Sequence, residues 1–255
     1  MIPLSDFLEP ELLIGPIADP HQDQVRALSA MTLTGATAIG GSSRAIGNAT
    51  DTELLLALRR WSDVVLVGAE TVRSENYGGV VVDTDTRLRR AKEGRGEVPP
   101  LAVVSRSLAL SPDSRLFADT CIPPLILTPE SSYTDPALTD SREMIRGTGA
   151  QIFSIGDGDA RKIMETLRRL GHRRILCEGG ACLLGQLVRA GLTDIHHVTI
   201  DPSLTLPAAP PLISSPPEDL GGEPEQHQLE LADMQATKDG CVFLRYHTRH
   251  PGPTP

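Results

Sequence analysis

The chain is 255 residues long, with a formal net charge of −9 and a pI near 5.3. That length allows one large α/β domain or two small ones, each with a buried core. The acidic balance argues against a surface built for nucleic acid or another polyanion. Aromatics make up 3% of the chain, too few for base-stacking platforms, and no apolar run approaches the roughly 20 residues of a membrane span.

Residues 1–24 hold four prolines and little periodicity, and they read as an extended lead-in. Acids come early and there is no basic n-region, so no secretory signal is expected and the location expected is cytoplasmic. Cys121, Cys177, Cys182 and Cys241 form no C-x-x-C pair, which argues against zinc. Cys177 and Cys182 read as reduced core residues.

Val25 to Leu33 is the first predicted strand. Thr34-Gly35 interrupts it, and Ala36 to Ile39 is expected to continue it. Gly40-Gly41-Ser42-Ser43 is a turn. Thr50-Asp51-Thr52-Glu53 fits a capping box, opening a helix that buries Leu54, Leu55 and Leu58 and ends at Arg59-Arg60. Trp61 reads as core. Asp63 to Gly68, DVVLVG, is a β-branched run typical of a strand covered on both faces. Ala69-Glu70-Thr71-Val72 begins a short helix. Tyr77 to Gly96 reads as a surface excursion whose charged run, 87–97, is a solvated face.

Leu101–Val104, Leu125–Leu127 and Ile152–Ile155 are further short strands, and Asp140–Arg146 is a helix. Asp157–Leu170 is an amphipathic helix with Ile163, Met164, Leu167 and Leu170 inward, stopped by Gly171. Arg174-Ile175-Leu176-Cys177 is a buried strand, broken by Glu178-Gly179-Gly180. Ala181 to Ala190 is helical and closes on Gly191. Ile195–Ile200 returns as a strand, with one of His196 and His197 packed and the other exposed. Pro202 to Glu225 is proline-rich and reads as loop. Leu229–Met234 and Cys241–His247 flank Asp239-Gly240, a hairpin signal. Residues 248–255 read as a disordered tail. No linker divides residues 25–247, which are expected to form a single domain. Its alternating elements predict a mostly parallel sheet flanked by helices, with an antiparallel hairpin at the edge.

In an open parallel sheet, ligands bind beyond the carboxyl ends of the strands. Thr34-Gly35, Gly68-Ala69-Glu70-Thr71, Ser105-Arg106 and Glu178-Gly179-Gly180 all fall at such ends. The Ala181 helix begins on two glycines. Its free N–H groups and positive dipole end favour a phosphate, and glycine allows close backbone approach. Arg106 suits an extra ribose phosphate, which a guanidinium pairs bidentately. Each turn also has a plain structural reading, and G-x-G-x-x-G is absent. Glu178 either caps the helix or accepts from a ligand's hydroxyls or amines, and Arg59 and Arg60, at a helix end, complement its dipole.

Three segments carry a family resemblance: SAMTLTGATAIGGSS, LRRWSDVVLVGAETVRSENYG and CEGGACLLGQLVRAGLTDIHHVTIDPSL. Together they resemble the signature blocks of the RibD C-terminal domain family, in its stand-alone actinobacterial-type branch. The likeness runs from about Val25 to Tyr246. It implies a dihydrofolate-reductase-like fold, a homodimer, and NADPH-dependent reduction of a ribosylamino-pyrimidine phosphate of riboflavin biosynthesis or a related pterin. It further implies cofactor contacts at Gly68, Thr71 and Glu75, and a pyrophosphate segment of Gly179, Gly180, Ala181, Cys182 and Leu183. Met31 and Ala45 fall near the nicotinamide contacts, and Ser105 and Arg106 match the strand end facing the 2′-phosphate. Ser43, Arg59 and Glu178 match substrate-side positions.

The chain departs from the family at the first block, usually S-L-D-G and here Thr32-Leu33-Thr34-Gly35. Thr34 can donate and accept a hydrogen bond but cannot serve as a carboxylate. Thr34 and Glu178 are therefore the candidate catalytic residues. The competing reading is an NADP(H)-binding homologue with impaired catalysis and a regulatory role. Zinc-dependent deamination is not expected, because H-x-E with P-C-x-x-C does not occur.

Overall fold

The computed structural model describes residues 4–17, 19, 22–208, 210–215, 223 and 225–249. The strands are β1 (Gln24–Thr32), β2 (Val64–Gly68), β3 (Leu101–Val104), β4 (Leu125–Thr128), β5 (Gln151–Ser154), β6 (Arg174–Cys177), β7 (Ile195–Asp201), β8 (Leu229–Ala236) and β9 (Val242–Thr248). The helices are α1 (Pro10–Ile14), α2 (Ala49–Trp61), α3 (Ala69–Ser74), α4 (Thr84–Lys92), α5 (Arg115–Ala118), α6 (Glu130–Thr134), α7 (Thr139–Gly147), α8 (Ala160–Arg169) and α9 (Ala181–Arg189).

The strands form one sheet in the order β5-β4-β3-β2-β6-β1-β7-β9-β8. Neighbours from β5 to β7 are parallel, and β9 runs antiparallel to both β7 and β8. Leu54, Leu58 and Trp61 of α2 meet Val65, Val67 and Leu176 on one face. Ile163 and Leu167 of α8 and Leu183, Leu184 and Leu187 of α9 meet Val64, Leu66 and Ile175 on the other. This double cover is why β2 reads as an unbroken apolar run.

Several local expectations fail because distant residues intervene. Ala36 to Ile39 does not extend β1; the chain turns at Gly35, whose N–H donates to Thr32 O at 2.8 Å. The α2 cap is Asn48, which accepts from Asp51 N. Thr50 is buried, and its hydroxyl accepts from Leu8 N instead. The lead-in is not simply extended, because α1 packs Leu13 and Ile14 into the core. The Arg26 guanidinium donates to Ile14 O at 2.6 Å and Pro16 O at 2.8 Å, and it lies 4.6 Å over the Trp61 ring.

The 77–96 excursion contains α4, and its charged run is a largely exposed face from which Arg90 and Arg95 turn inward. Arg90 is 1% exposed and donates to the carbonyls of Arg60, Ser62 and Gly96. Arg95 pairs with Asp63 at 2.8 Å. His196 and His197 are both buried rather than split between core and solvent. Burial pushes their pKa values down to about 4 and about 3. Thr248, placed in the tail from sequence, is the last residue of β9, paired with Leu229, and residues 250–255 and 216–222 lie outside the described residues.

β2 leads through α3 toward β3 on one side, while β6 leads through α9 toward β7 on the other. Adjacent strands that depart in opposite directions open a crevice above their carboxyl ends. The four strand ends singled out from sequence belong to β3, β2, β6 and β1, which are consecutive in the sheet.

Candidate active site

The two glycine turns above this crevice meet. Gly68 N donates to Gly179 O at 3.1 Å. Gly179 and Gly180 both have φ near +90° (90° and 85°), a region glycine enters at little cost. A Cβ on Gly180 would sit 3.4 Å from Gly68 Cα and 3.4 Å from Thr71 Oγ1, whereas one on Gly179 would meet nothing within 4 Å. Gly180 is the N-cap of α9, and no side chain caps that helix. The first N–H groups of α9 thus begin at an all-glycine turn flanked by Gly68 and Thr71, a geometry suited to an anionic oxygen. Cys182 is exposed, whereas the Leu183 side chain is buried in the core, so Leu183 can offer a ligand only its main chain.

Glu178 leaves β6 on the α2 side of the sheet. It does not cap α9. Arg59 of α2 donates to it through Nε (to Oε1) and Nη2 (to Oε2), both at 2.6 Å. Tyr77 O–H donates to Oε2 at 2.9 Å, and the Arg59 guanidinium lies 5.6 Å from the Tyr77 ring centroid. The Glu178 side chain is 3% exposed and that of Arg59 is 18% exposed. A carboxylate buried this deeply requires such partners. Burial, followed by the adjacent Glu178, pushes the Tyr77 phenol well above its ordinary range, so Tyr77 remains a donor. Burial works to lower the Arg59 pKa, but the contacts with Glu178 outweigh it and the net direction is upward.

Tyr77 was not singled out from sequence. Its signal was the E-x-Y spacing after α3. Asn76 takes φ +52°, while Tyr77 N donates to Val72 O and Asn76 N to Arg73 O. These are the two bonds of a Schellman helix end. The turn separates its neighbours. Tyr77 reaches Glu178, whereas the Glu75 carboxylate accepts from Ser42 Oγ at 2.8 Å and Ser43 N at 2.6 Å. Predicted cofactor and substrate positions, Glu75 and Ser43, are therefore bonded to each other.

At the end of β1, Thr34 Oγ1 lies 2.9 Å from Thr32 Oγ1 and 2.9 Å from Thr205 Oγ1, and it accepts from Thr205 N. The loop after β7 is anchored here and also on α9, where Ser214 N donates to Ala181 O and Ser214 Oγ lies 3.1 Å from Cys182 Sγ. Ser105 is buried, and its hydroxyl accepts from Leu108 N; Arg106 beside it is exposed. Ala45 is exposed. Met31 faces a groove of about 910 Å³ on the α9 side, where it meets Leu184, Ile200 and Tyr246. Glu178 and Arg59 lie on the opposite face. Among the described residues no cluster of His, Cys, Asp and Glu could hold a metal ion.

Residues 23–243 match the RibD C-terminal domain. The chain is similar to the 2,5-diamino-6-ribosylamino-4(3H)-pyrimidinone 5′-phosphate reductase of Archaeoglobus fulgidus. Identity is 26% over 155 residues, covering 60% of this chain and 67% of that protein. It is similar to the protein of the same name from Methanothermobacter thermautotrophicus, with 26% identity over 176 residues, covering 69% and 76%. A pyrimidine reductase-like protein from Corynebacterium diphtheriae superposes with a TM-score of 0.80 at 27% identity, over 89% of this chain and 92% of that one. The riboflavin biosynthesis reductase of Saccharomyces cerevisiae shares the fold, with a TM-score of 0.62 at 18% identity over 92% and 94%.

Proposed function

The chain belongs to the RibD C-terminal domain family, and from that premise we propose that it is an NADPH-dependent reductase of a ribosylamino-pyrimidine 5′-phosphate of riboflavin biosynthesis, or of a related pterin. The observation that carries this reading is the meeting of Gly68 and Gly180 beneath the uncapped start of α9. A side chain at Gly180 would fill the cradle that a diphosphate needs. Relatives named as pyrimidinone phosphate reductases support the substrate class.

In this reading the main-chain N–H groups of Ala181, Cys182 and Leu183 hold the diphosphate, and Gly68, Thr71 and Gly179 leave room for it. Arg106 takes the 2′-phosphate on the end of β3, with Ser105 shaping its turn. Ala45 and Glu75 flank the nicotinamide end, where Met31, whose side chain faces the α9-side groove, offers only its main chain. NADPH, when bound, supplies the hydride. Ser43 and Arg59 hold the substrate, and the protein's main contribution is to position the two reactants. Glu178 already accepts three hydrogen bonds and is almost wholly buried. Water therefore delivers the proton, ordered by the Thr34 hydroxyl. We also place the enzyme in the cytoplasm as a homodimer, with the partner copy on the groove beside β7 and β9.

NADPH and NADH titrated side by side test the assignment. NADPH should bind at least about 10-fold more tightly, the effect of one lost bidentate phosphate contact, and Arg106→Ala should erase the difference. Equal affinities in the unmodified protein would count against a 2′-phosphate site.

The alternative, an impaired NADP(H)-binding regulator, draws on the inward hydrogen bonding of Thr34 to Thr32 and Thr205. Thr34→Asp separates the two. Activity gained only in the variant favours the regulator. Pyrimidine reduction by the unmodified chain, unimproved by the carboxylate, favours the enzyme.

A further inference from the structure

Arg59 spends only part of its donor set on Glu178. A guanidinium carries five N–H groups in a fixed plane. The Nε–Nη2 edge is taken by Oε1 and Oε2 of Glu178. Among the described residues no partner is found for Nη1. The Arg59 Cζ lies over the Tyr77 ring, 5.6 Å from the centroid. Arg59 is the more exposed member of the pair, at 18% against 3%. The arrangement therefore fixes the plane and direction of a cation whose outer edge is unspent, and that edge has the geometry for an oxyanion.

We propose that Tyr77 is a positioning residue which, by locking Glu178 and flanking the guanidinium, aims the outer edge of Arg59 at the 5′-phosphate of the substrate. This rests on the reductase reading above and adds a specificity element to it. Glu178 has about four lone-pair sites, and three are filled, two of them on Oε2. Removing the Tyr77 hydroxyl vacates one and lets the carboxylate rotate, and the guanidinium rotates with it. The Schellman turn at Asn76 explains how Tyr77 arrives there: the helix end delivers it at a set distance from Glu75. Tyr77 does not act as the proton donor, because its hydroxyl is committed to Oε2.

The test is Tyr77→Phe, which keeps the ring against Arg59 and removes only the donor. KM for the phosphorylated ribosylamino-pyrimidine should rise about 10-fold, the loss of one hydrogen bond to a charged group, with kcat changed less than about 2-fold. KM for the same compound lacking its 5′-phosphate should move less than about 2-fold, which a merely structural role would not produce. In a Glu178→Gln background the substitution should add little, because it acts through that carboxylate.

Equal KM increases for both compounds, or no increase for either, would overturn the proposal. If the unmodified chain binds NADPH but reduces no pyrimidine, the reductase reading has failed. The Tyr77 inference is then read by calorimetry with ribose 5-phosphate. Weaker binding in Tyr77→Phe sustains it, and unchanged or undetectable binding ends it.

Discussion

Gly180→Asp should abolish NADPH binding, with a loss of at least about 100-fold in affinity, equivalent to about 2.7 kcal/mol. Three effects act in the same direction. The position has φ +85°, where a non-glycine residue costs on the order of 1–3 kcal/mol. Its Cβ would come to 3.4 Å from Gly68 Cα and Thr71 Oγ1, filling the space between the two turns. The new carboxylate would also occupy the start of α9, taking the N–H groups a diphosphate needs and repelling its charge. Fluorescence titration measures the affinity, and urea unfolding measures the strain separately. Gly171→Ala is the control. It too has φ near +90° (91°) with nothing within 4 Å, and it lies at the amino end of β6, opposite the crevice. It should lose stability comparably and keep its NADPH affinity. If Gly180→Asp binds NADPH like the unmodified protein, the diphosphate is not held here.

Arg59→Ala should be the most destabilising single change in the site. It leaves Glu178, 3% exposed, without its bidentate partner. Breaking a buried pair from one side costs about 3–5 kcal/mol. Tyr77 remains as a donor, which places the expectation near the lower end, about 3 kcal/mol. Pyrimidine reduction should disappear with it. Arg59→Lys should recover little, since an ammonium cannot bridge both carboxylate oxygens in one plane. The informative companion is the double variant Arg59→Met with Glu178→Leu. Removing both charges should restore most of the stability and none of the activity. A stability loss below about 0.5 kcal/mol in Arg59→Ala would show that the pair contributes little to the fold. Activity regained in the double variant would remove both residues from the site.

Legibility followed the range of the interactions. β2, β6 and α9 could be read almost residue for residue, because each is an apolar run closed by glycine, and those preferences are local. The departure from the family at Thr34 was equally plain. Five residues are too few to show a period, so α1 was missed. The helix in the charged run, α4, was missed because Arg90 is buried only by virtue of carbonyls at Arg60, Ser62 and Gly96. Thr50 matched a capping pattern, but its hydroxyl was claimed by Leu8. At the site, the glycine turns and Arg59, Glu178, Ser43 and Glu75 were each named one by one, whereas Tyr77 was passed over.

Residue pattern by itself determined that strands alternate with helices, that the sheet is mostly parallel, which strand ends are candidates for a ligand, and which family supplies the likeness. Only the tertiary structure decided that β6 lies between β2 and β1, and that decision makes the site. It sets Gly180 against Gly68 and brings Glu178 to Arg59, 119 positions away, and to Tyr77, 101 positions away. Strand order is settled by how whole faces pack and by which crossovers close, and no local stretch of sequence encodes that competition.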